Sequence, residues 1–107
     1  AKSFQSERQA VEVAWHAVKN HFDQHIDKTR LAFLYMPFMH SEYLAEQELS
    51  VSLYREAQLD ANIGFAEHHR DIIRRFGRFP HRNAALGRAS TPEEIDWLRE
   101  QGLRFGQ

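Results

Sequence analysis

The densest group of side chains able to do chemistry is the run His68-His69-Arg70-Asp71-Ile72-Ile73-Arg74-Arg75-Phe76-Gly77-Arg78-Phe79-Pro80-His81-Arg82-Asn83. Arg70, Arg74, Arg75, Arg78, Arg82 and Arg88 fall within 19 residues, and His68, His69 and His81 fall among them. Guanidinium forks suit carboxylate or phosphate groups, because their planar donors meet two acceptor oxygens at once. Imidazoles add proton transfer near neutral pH. A smaller group lies at His40-Ser41-Glu42. There a histidine beside a carboxylate is either a base with its orienting partner or a buried ring satisfied by its neighbour. Together these give a candidate ligand-binding set of His40, Glu42, His69, Arg70, Arg78, His81, Arg82 and Asn83.

Three uses of such a set are open. In a binding module, Arg70, Arg78, Arg82 and Arg88, with His40, His69 and His81, line a concave wall and hold a small anion or an acidic peptide. Backbone donors at the helical start by Pro80 would add to that pull. In an enzyme, the three histidines with Glu42 or Asp71 supply acid–base groups for hydrolysis or transfer at a phosphate or acyl ester. Ser41, the nearest hydroxyl nucleophile, reads better as a helix cap, and no glycine-rich phosphate loop is present. In a purely structural network, Arg78 and Arg82 hydrogen-bond carbonyls of the 77–91 loop, while Glu42 or Asp71 neutralises them.

Composition narrows the classes. A chain of 107 residues reads as one domain. An apolar content of 42% and eight phenylalanines argue for a folded core and against disorder. A net charge of -1 argues against nucleic acid as a partner, which calls for a strongly basic face. Cysteine is absent, so no disulfide framework or cysteine-held zinc is expected, and a cytoplasmic location is compatible. No apolar run approaches the ~20 residues of a membrane span. His21 and His25 are spaced i, i+4, but without a third ligand nearby no metal is expected, and no cofactor.

The elements that must position these residues all read as helices. Residues 5–24 carry Val11, Ala14, Trp15, Val18 and Phe22 at i, i+3, i+4, i+7 spacing, with His16, Lys19, Asn20 and Asp23 outward. Residues 28–36 are apolar nearly all round and predict a central, buried helix limited by Pro37. Ser41 predicts the cap of a third helix over 42–58, with Leu44, Val51, Leu53 and Tyr54 inward. A fourth helix over 61–76 has the stripe Phe65, His69, Ile72 and Phe76 and closes at Gly77, forming a hairpin with the third. Residues 79–86 predict one or two turns stopped by Gly87. Thr91, Pro92 and Glu94 form a capping box that starts a last helix over 92–101, with Ile95 and Trp97 or Leu98 inward. Gly102 ends it, and Leu103 and Phe105 are expected to dock beyond. The fold class is all-α, five helices in antiparallel, tetratricopeptide-like hairpins, without a true internal repeat.

Two segments together resemble the bacterial family known as domain of unknown function 924. They are Phe33 through Glu42, and His69 through Ile73 continuing by Phe76-Gly77-Arg78-Phe79-Pro80-His81-Arg82-Asn83 to Leu86-Gly87-Arg88 and Ser90 through Glu94. The resemblance covers most of residues 31–96, whereas residues 1–30 match only as a helix of the right kind. It implies a tetratricopeptide-like helical fold and no particular activity. It also implies additional helices before this segment, with an earlier Phe-Pro-Arg-Asn turn that echoes Phe79 to Asn83. On that basis the chain is expected to be the C-terminal part of a longer domain, and a homodimer formed over exposed apolar helices is an expected assembly.

Overall fold

The computed structural model describes residues 4–104 and the side-chain surroundings of residues 6–101. Five α-helices run in order: α1 (Phe4–Lys19), α2 (Lys28–Met39), α3 (Leu44–Glu56), α4 (Asp60–Phe76) and α5 (Pro92–Arg104). Two short 3-10 turns lie between them, Phe22–His25 and Pro80–Arg82. No strand occurs among the described residues, so the chain is all-α. Neighbouring helices pack in pairs, and α3 against α4 is the most extensive of these contacts.

Helix α1 buries Val11 and Ala14, with Trp15 and Val18 half-buried beside them. It stops at Lys19, short of the expected residue 24. The Asn20 side chain donates to the His16 carbonyl at 2.8 Å, and His21 turns left-handed with φ 59°. Such a residue just past a helix ends it, because the next amide can no longer reach back four residues. Phe22 therefore leaves the expected stripe and lies 53% exposed, its ring 5.7 Å from that of His16. Asp23 turns inward and accepts from the Tyr35 hydroxyl at 2.6 Å.

Helix α2 starts on Asp27, whose carboxylate accepts from the Arg30 amide at 3.0 Å. It continues through Pro37 to Met39 instead of halting at residue 36. The carbonyl that Pro37 leaves without an amide donor belongs to Phe33, which lies on the open side of the helix at 67% exposure and within reach of water. Leu31, Tyr35, Phe38 and Met39 face the core, so the helix is half-buried rather than buried all round. Its last carbonyls find a donor in Gln47, fully buried on α3. The Gln47 amide donates to the carbonyls of Phe38, Met39 and Ser41 at 3.4, 2.6 and 2.6 Å.

Helix α3 begins at Leu44, with Tyr43 at the cap position and Ser41 two residues upstream. Ser41 still organises this entry: its hydroxyl accepts from the Tyr43 amide at 3.1 Å and donates to Glu46 at 2.5 Å. Glu46 also receives Arg8 at 2.7 Å and the Trp15 indole at 2.9 Å, which locks α1 onto α3. Starting two residues late rotates Leu44 outward to 45% exposure, while Val51, Leu53 and Tyr54 face inward as expected. Helix α3 ends in a Schellman turn. Gln58 is left-handed at φ 55°, and the Leu59 amide donates to the Tyr54 carbonyl at 3.0 Å.

Helix α4 ends as expected at Phe76, closed by Gly77 at φ 75°, whose amide donates to Ile73 at 2.8 Å. Its inward face differs from the expected stripe. Ala66, Ile72 and Ile73 are buried, whereas Phe65 stands 64% exposed. Arg74 to Glu48 and Arg55 to Glu67 tie α4 to α3 at the surface.

The main core joins Val11, Ala14, Leu31, Tyr35, Phe38, Met39, Val51, Leu53, Tyr54, Leu59 and Ala66. A smaller core of Ile72, Ile73, Phe79 and Trp97 sits under the turn region. Helix α5 carries the expected capping box: the Glu94 amide donates to Thr91 Oγ1 at 3.1 Å, and the Thr91 amide to Glu94 Oε1 at 2.9 Å. Trp97 is its buried anchor and Leu98 packs beside it, while Ile95 faces out at 45% exposure. The helix runs through Gly102 to Arg104. The expected docking of Leu103 and Phe105 lies outside the described side chains.

Candidate functional site

The turn after α4 is organised by Phe79, a fully buried ring whose backbone is held from both sides. Its amide donates to Glu42 Oε2 at 2.6 Å, and its carbonyl accepts from Arg88 at 3.2 Å. Arg88 also forks onto Glu42 at 2.9 and 3.1 Å, and its Nε donates to Asn83 Oδ1 at 3.0 Å. The Asn83 amide in turn reaches Ser90 at 3.0 Å and Glu94 at 3.3 Å. Arg78 forks onto Glu94 at 2.9 and 2.7 Å and donates to the Ala89 carbonyl at 2.8 Å. Glu42, Arg78, Asn83 and Arg88 thus form one knot whose donors and acceptors largely answer one another.

Electrostatics in the knot match that arrangement. Hydrogen bonds from Arg78, and then from the Thr91 amide, bring the Glu94 carboxyl down to about 2. Burial pushes the Glu42 carboxyl up, but hydrogen bonds from Arg88 and the Phe79 amide outweigh it and hold it below the usual range. Both carboxylates are therefore charged at neutral pH and serve as anchors, not as proton carriers.

On the ring side of Phe79 the groups are of another kind. The imidazoles of His69 and His81 lie 5.7 and 5.6 Å from its ring, and the Arg82 guanidinium lies over it at 4.7 Å. His40, arriving from the end of α2, lies 5.7 Å from His69, and His68 lies 6.1 Å from it. Arg82 donates to the His40 carbonyl at 3.0 Å and approaches Glu7 of α1 at 3.8 Å. His40, His69, His81 and Arg82 are thereby brought to one place from α2, α4 and the following turn. Arg70 is not among them; it pairs with its neighbour Asp71 at 3.0 Å.

His69 has a fixed tautomer. Its Nδ1 lies 2.7 Å from the Phe65 carbonyl, which can only accept, so Nδ1 carries the proton and Nε2 keeps its lone pair. Burial lowers its pKa, the hydrogen bond to Phe65 opposes this, and His68 and Arg82 lower it further. His81 is lowered by burial and then by Arg82 and His69, with Glu42 opposing. Both rings are held towards the neutral form.

A cleft of about 300 Å³ opens beside this cluster between α2 and α4, lined by Met36, Met39, His40, Asn62, Phe65 and His69. A wider depression of about 390 Å³ lies on α1 against Glu12, Trp15, His16 and Lys19. Its lining comes from a single helix and converges on nothing, so it is the weaker candidate. Sequence reading did not anticipate Asn62 at a cleft, and it favoured core packing over a pocket for the methionines of α2. Met36, Met39 and His40 are spaced i, i+3, i+4, a signal that does put them on one face of α2. Nor did it anticipate the Arg8–Glu46–Trp15 lock, whose partners are separated by 38 and 31 residues. Among the described residues no three of His, Asp and Glu gather as a metal-ligand set. His21 and His25 do not share a helical face, since one is left-handed and the other ends a 3-10 turn.

Comparison with known proteins follows the same outline. Residues 1–102 match the family described as "Bacterial protein of unknown function (DUF924)", so the likeness includes the first helix and is wider than the segments that carry the visible motifs. No curated protein matches. The fold is similar to that of the protein of unknown function ATU0120 from Agrobacterium tumefaciens, with 40% identity and a TM-score of 0.82 over 88% of this chain. That alignment spans 53% of the Agrobacterium chain. With the match running nearly end to end, the chain belongs to the bacterial DUF924 family.

Proposed function

We propose that this protein is a binding module for a small anionic molecule, received in the cleft between α2 and α4 beside Arg82. One observation carries this reading: His40, His69, His81 and Arg82 converge on the ring side of Phe79, next to an open cleft. The other turn arginines, Arg78 and Arg88, are committed to carboxylates, so they offer an anion little. A cleft of about 300 Å³ is at the low end for small-molecule sites and favours a compact ligand over an acidic peptide. On this reading the α3–α4 hairpin acts as a tetratricopeptide-like layer supporting the site, in a cytoplasmic protein. Titration calorimetry with benzoate and inorganic phosphate, on the wild type and Arg82→Met, tests it. Saturable binding of at least one anion, weakened about tenfold or more by the substitution, is expected. Equal weak binding by both proteins would contradict it.

A hydrolytic reading has one specific observation in its favour, the tautomer of His69. An imidazole with Nδ1–H on a carbonyl and a lone pair on Nε2 is the arrangement of a general base. It would take a proton from water attacking an acyl or phosphate ester, as the alcohol leaves. Hydrolysis of p-nitrophenyl acetate that is lost in His69→Gln, and that falls with a group titrating below the ordinary histidine range, would favour this reading over binding alone. Dimerisation stands as a separate proposal, resting on the exposed Phe33 and Phe65, and a sedimenting mass equal to one chain at every concentration would sink it.

A further inference from the structure

The cleft's lining says more about its occupant than that it is anionic. Met36, Met39 and Phe65 form an apolar wall, and His40, His69 and Asn62 supply the polar one. Thioethers and an aromatic edge adapt to alkyl or aryl groups. An all-polar ligand would leave that wall facing it without compensation. We infer that the cleft takes a small carboxylate carrying an apolar tail, the carboxylate against the imidazoles of His40 and His69 on the side nearest Arg82 and the tail against Met36, Met39 and Phe65, and that this ligand enters together with a proton.

The charge balance supports a monoanion. The groups facing His69 and His81 are His40 from α2, Glu42 from the α2–α3 loop, His68 from α4, and Arg82 and Arg88 from the turn. Arg88 and Glu42 pair with each other. Arg82 has Glu7 of α1 within 3.8 Å and one donor spent on the His40 carbonyl. The fixed charges therefore nearly cancel, and burial and Arg82 hold the His69 and His81 imidazoles towards the neutral form. A dianionic phosphate would find too little positive charge here to offset its desolvation. A carboxylate instead favours protonation of one imidazole, and the resulting pair is neutral within the cleft.

This inference rests on the small-anion reading, and a set of probes separates the two. Hexanoate, acetate, 1-hexanol, hexyl phosphate and inorganic phosphate are titrated into the full chain between pH 6 and 8, in two buffers of different ionisation heat. Hexanoate is expected to bind about tenfold or more tighter than acetate and hexanol. Its affinity is expected to rise up to about tenfold for each unit of falling pH, with uptake of about one proton. Phe65→Ser, at an exposed rim position, should erase the preference over acetate while acetate still binds. His69→Gln should lower the proton uptake, and His40→Gln, at an exposed position, serves the same purpose if the former does not fold. Tighter binding of either phosphate, or equal binding of hexanol and hexanoate, or equal binding of acetate and hexanoate, overturns the carboxylate inference. In the phosphate and acetate cases the anion reading stands. Binding of no probe overturns both.

Discussion

Two regions of one turn use the same residue types to opposite ends. On the backbone side of Phe79, Arg78 and Arg88 meet Glu94 and Glu42, and every guanidinium fork is matched by a carboxylate. On the ring side, Arg82 and three imidazoles gather with far less negative charge among them. The difference is not in the density of cations, which is similar, but in where the carboxylates fall. Glu42 and Glu94 stand at the entries to α3 and α5, and each accepts backbone amides as well as arginines. The knot fixes the position of Phe79, and Phe79 gives the imidazole cluster its shape.

Breaking the shared piece should have the largest effect. Phe79→Ala removes a fully buried ring and is expected to cost about 3–5 kcal/mol, read from the denaturant midpoint, with loss of any anion response. Next, Glu42→Ala leaves Arg88 and the Phe79 amide without their acceptor. A cost of about 2–3 kcal/mol is expected for this partly exposed pair, and the histidine ring environment should change as well. A stability loss that leaves the His69 and His81 resonances unmoved would separate the two regions and break the comparison.

Smaller effects sharpen it. Arg82→Met should change stability by less than about 1 kcal/mol, because its contacts are one carbonyl, one distant carboxylate and a ring face, yet it should weaken anion binding about tenfold or more. Titration distinguishes the regions by pH. His69 and His81 have folded pKa values below their unfolded ones, so the unfolded chain takes up protons first. Stability should decline as pH falls through about 6.5. Glu94 is also lowered, and its contribution is present above about 4.3 and is lost as pH falls towards about 2. Denaturation midpoints from pH 8 to 3 should therefore show two descents. His69→Gln should make the upper one shallower, with His81 supplying the rest, and leave the lower one unchanged.

Local signals in the sequence carried much of this arrangement. The bounds of α4, its closure at Gly77 and the Thr91–Glu94 box are each set by residues within four positions of one another, so periodicity and cap chemistry reach them. The crowding of imidazoles and arginines around Phe79 was visible as composition. Which arginines remain to face a ligand was not, because Glu42 and Arg88 are 46 residues apart. Buried polar groups on α3 were equally hidden. Glu46 and Gln47 look like a solvated face until Arg8, Trp15 and the end of α2 pack over them, and Ser50 is buried beside them on α3. Periodicity also placed Phe65 inward, where the packing of α4 on α3 instead turns Ala66 to the core.

The most direct test uses the seven histidines as their own control. In the ¹⁵N spectrum of the imidazoles, benzoate added at pH 6.5 should move His40, His69 and His81 together and leave His16, His21 and His25 in place. His69 should begin as the Nδ1–H tautomer. Uniform small shifts across all seven rings, or none at the cluster, would contradict the claim that Phe79 gathers these groups into one anion-receiving site.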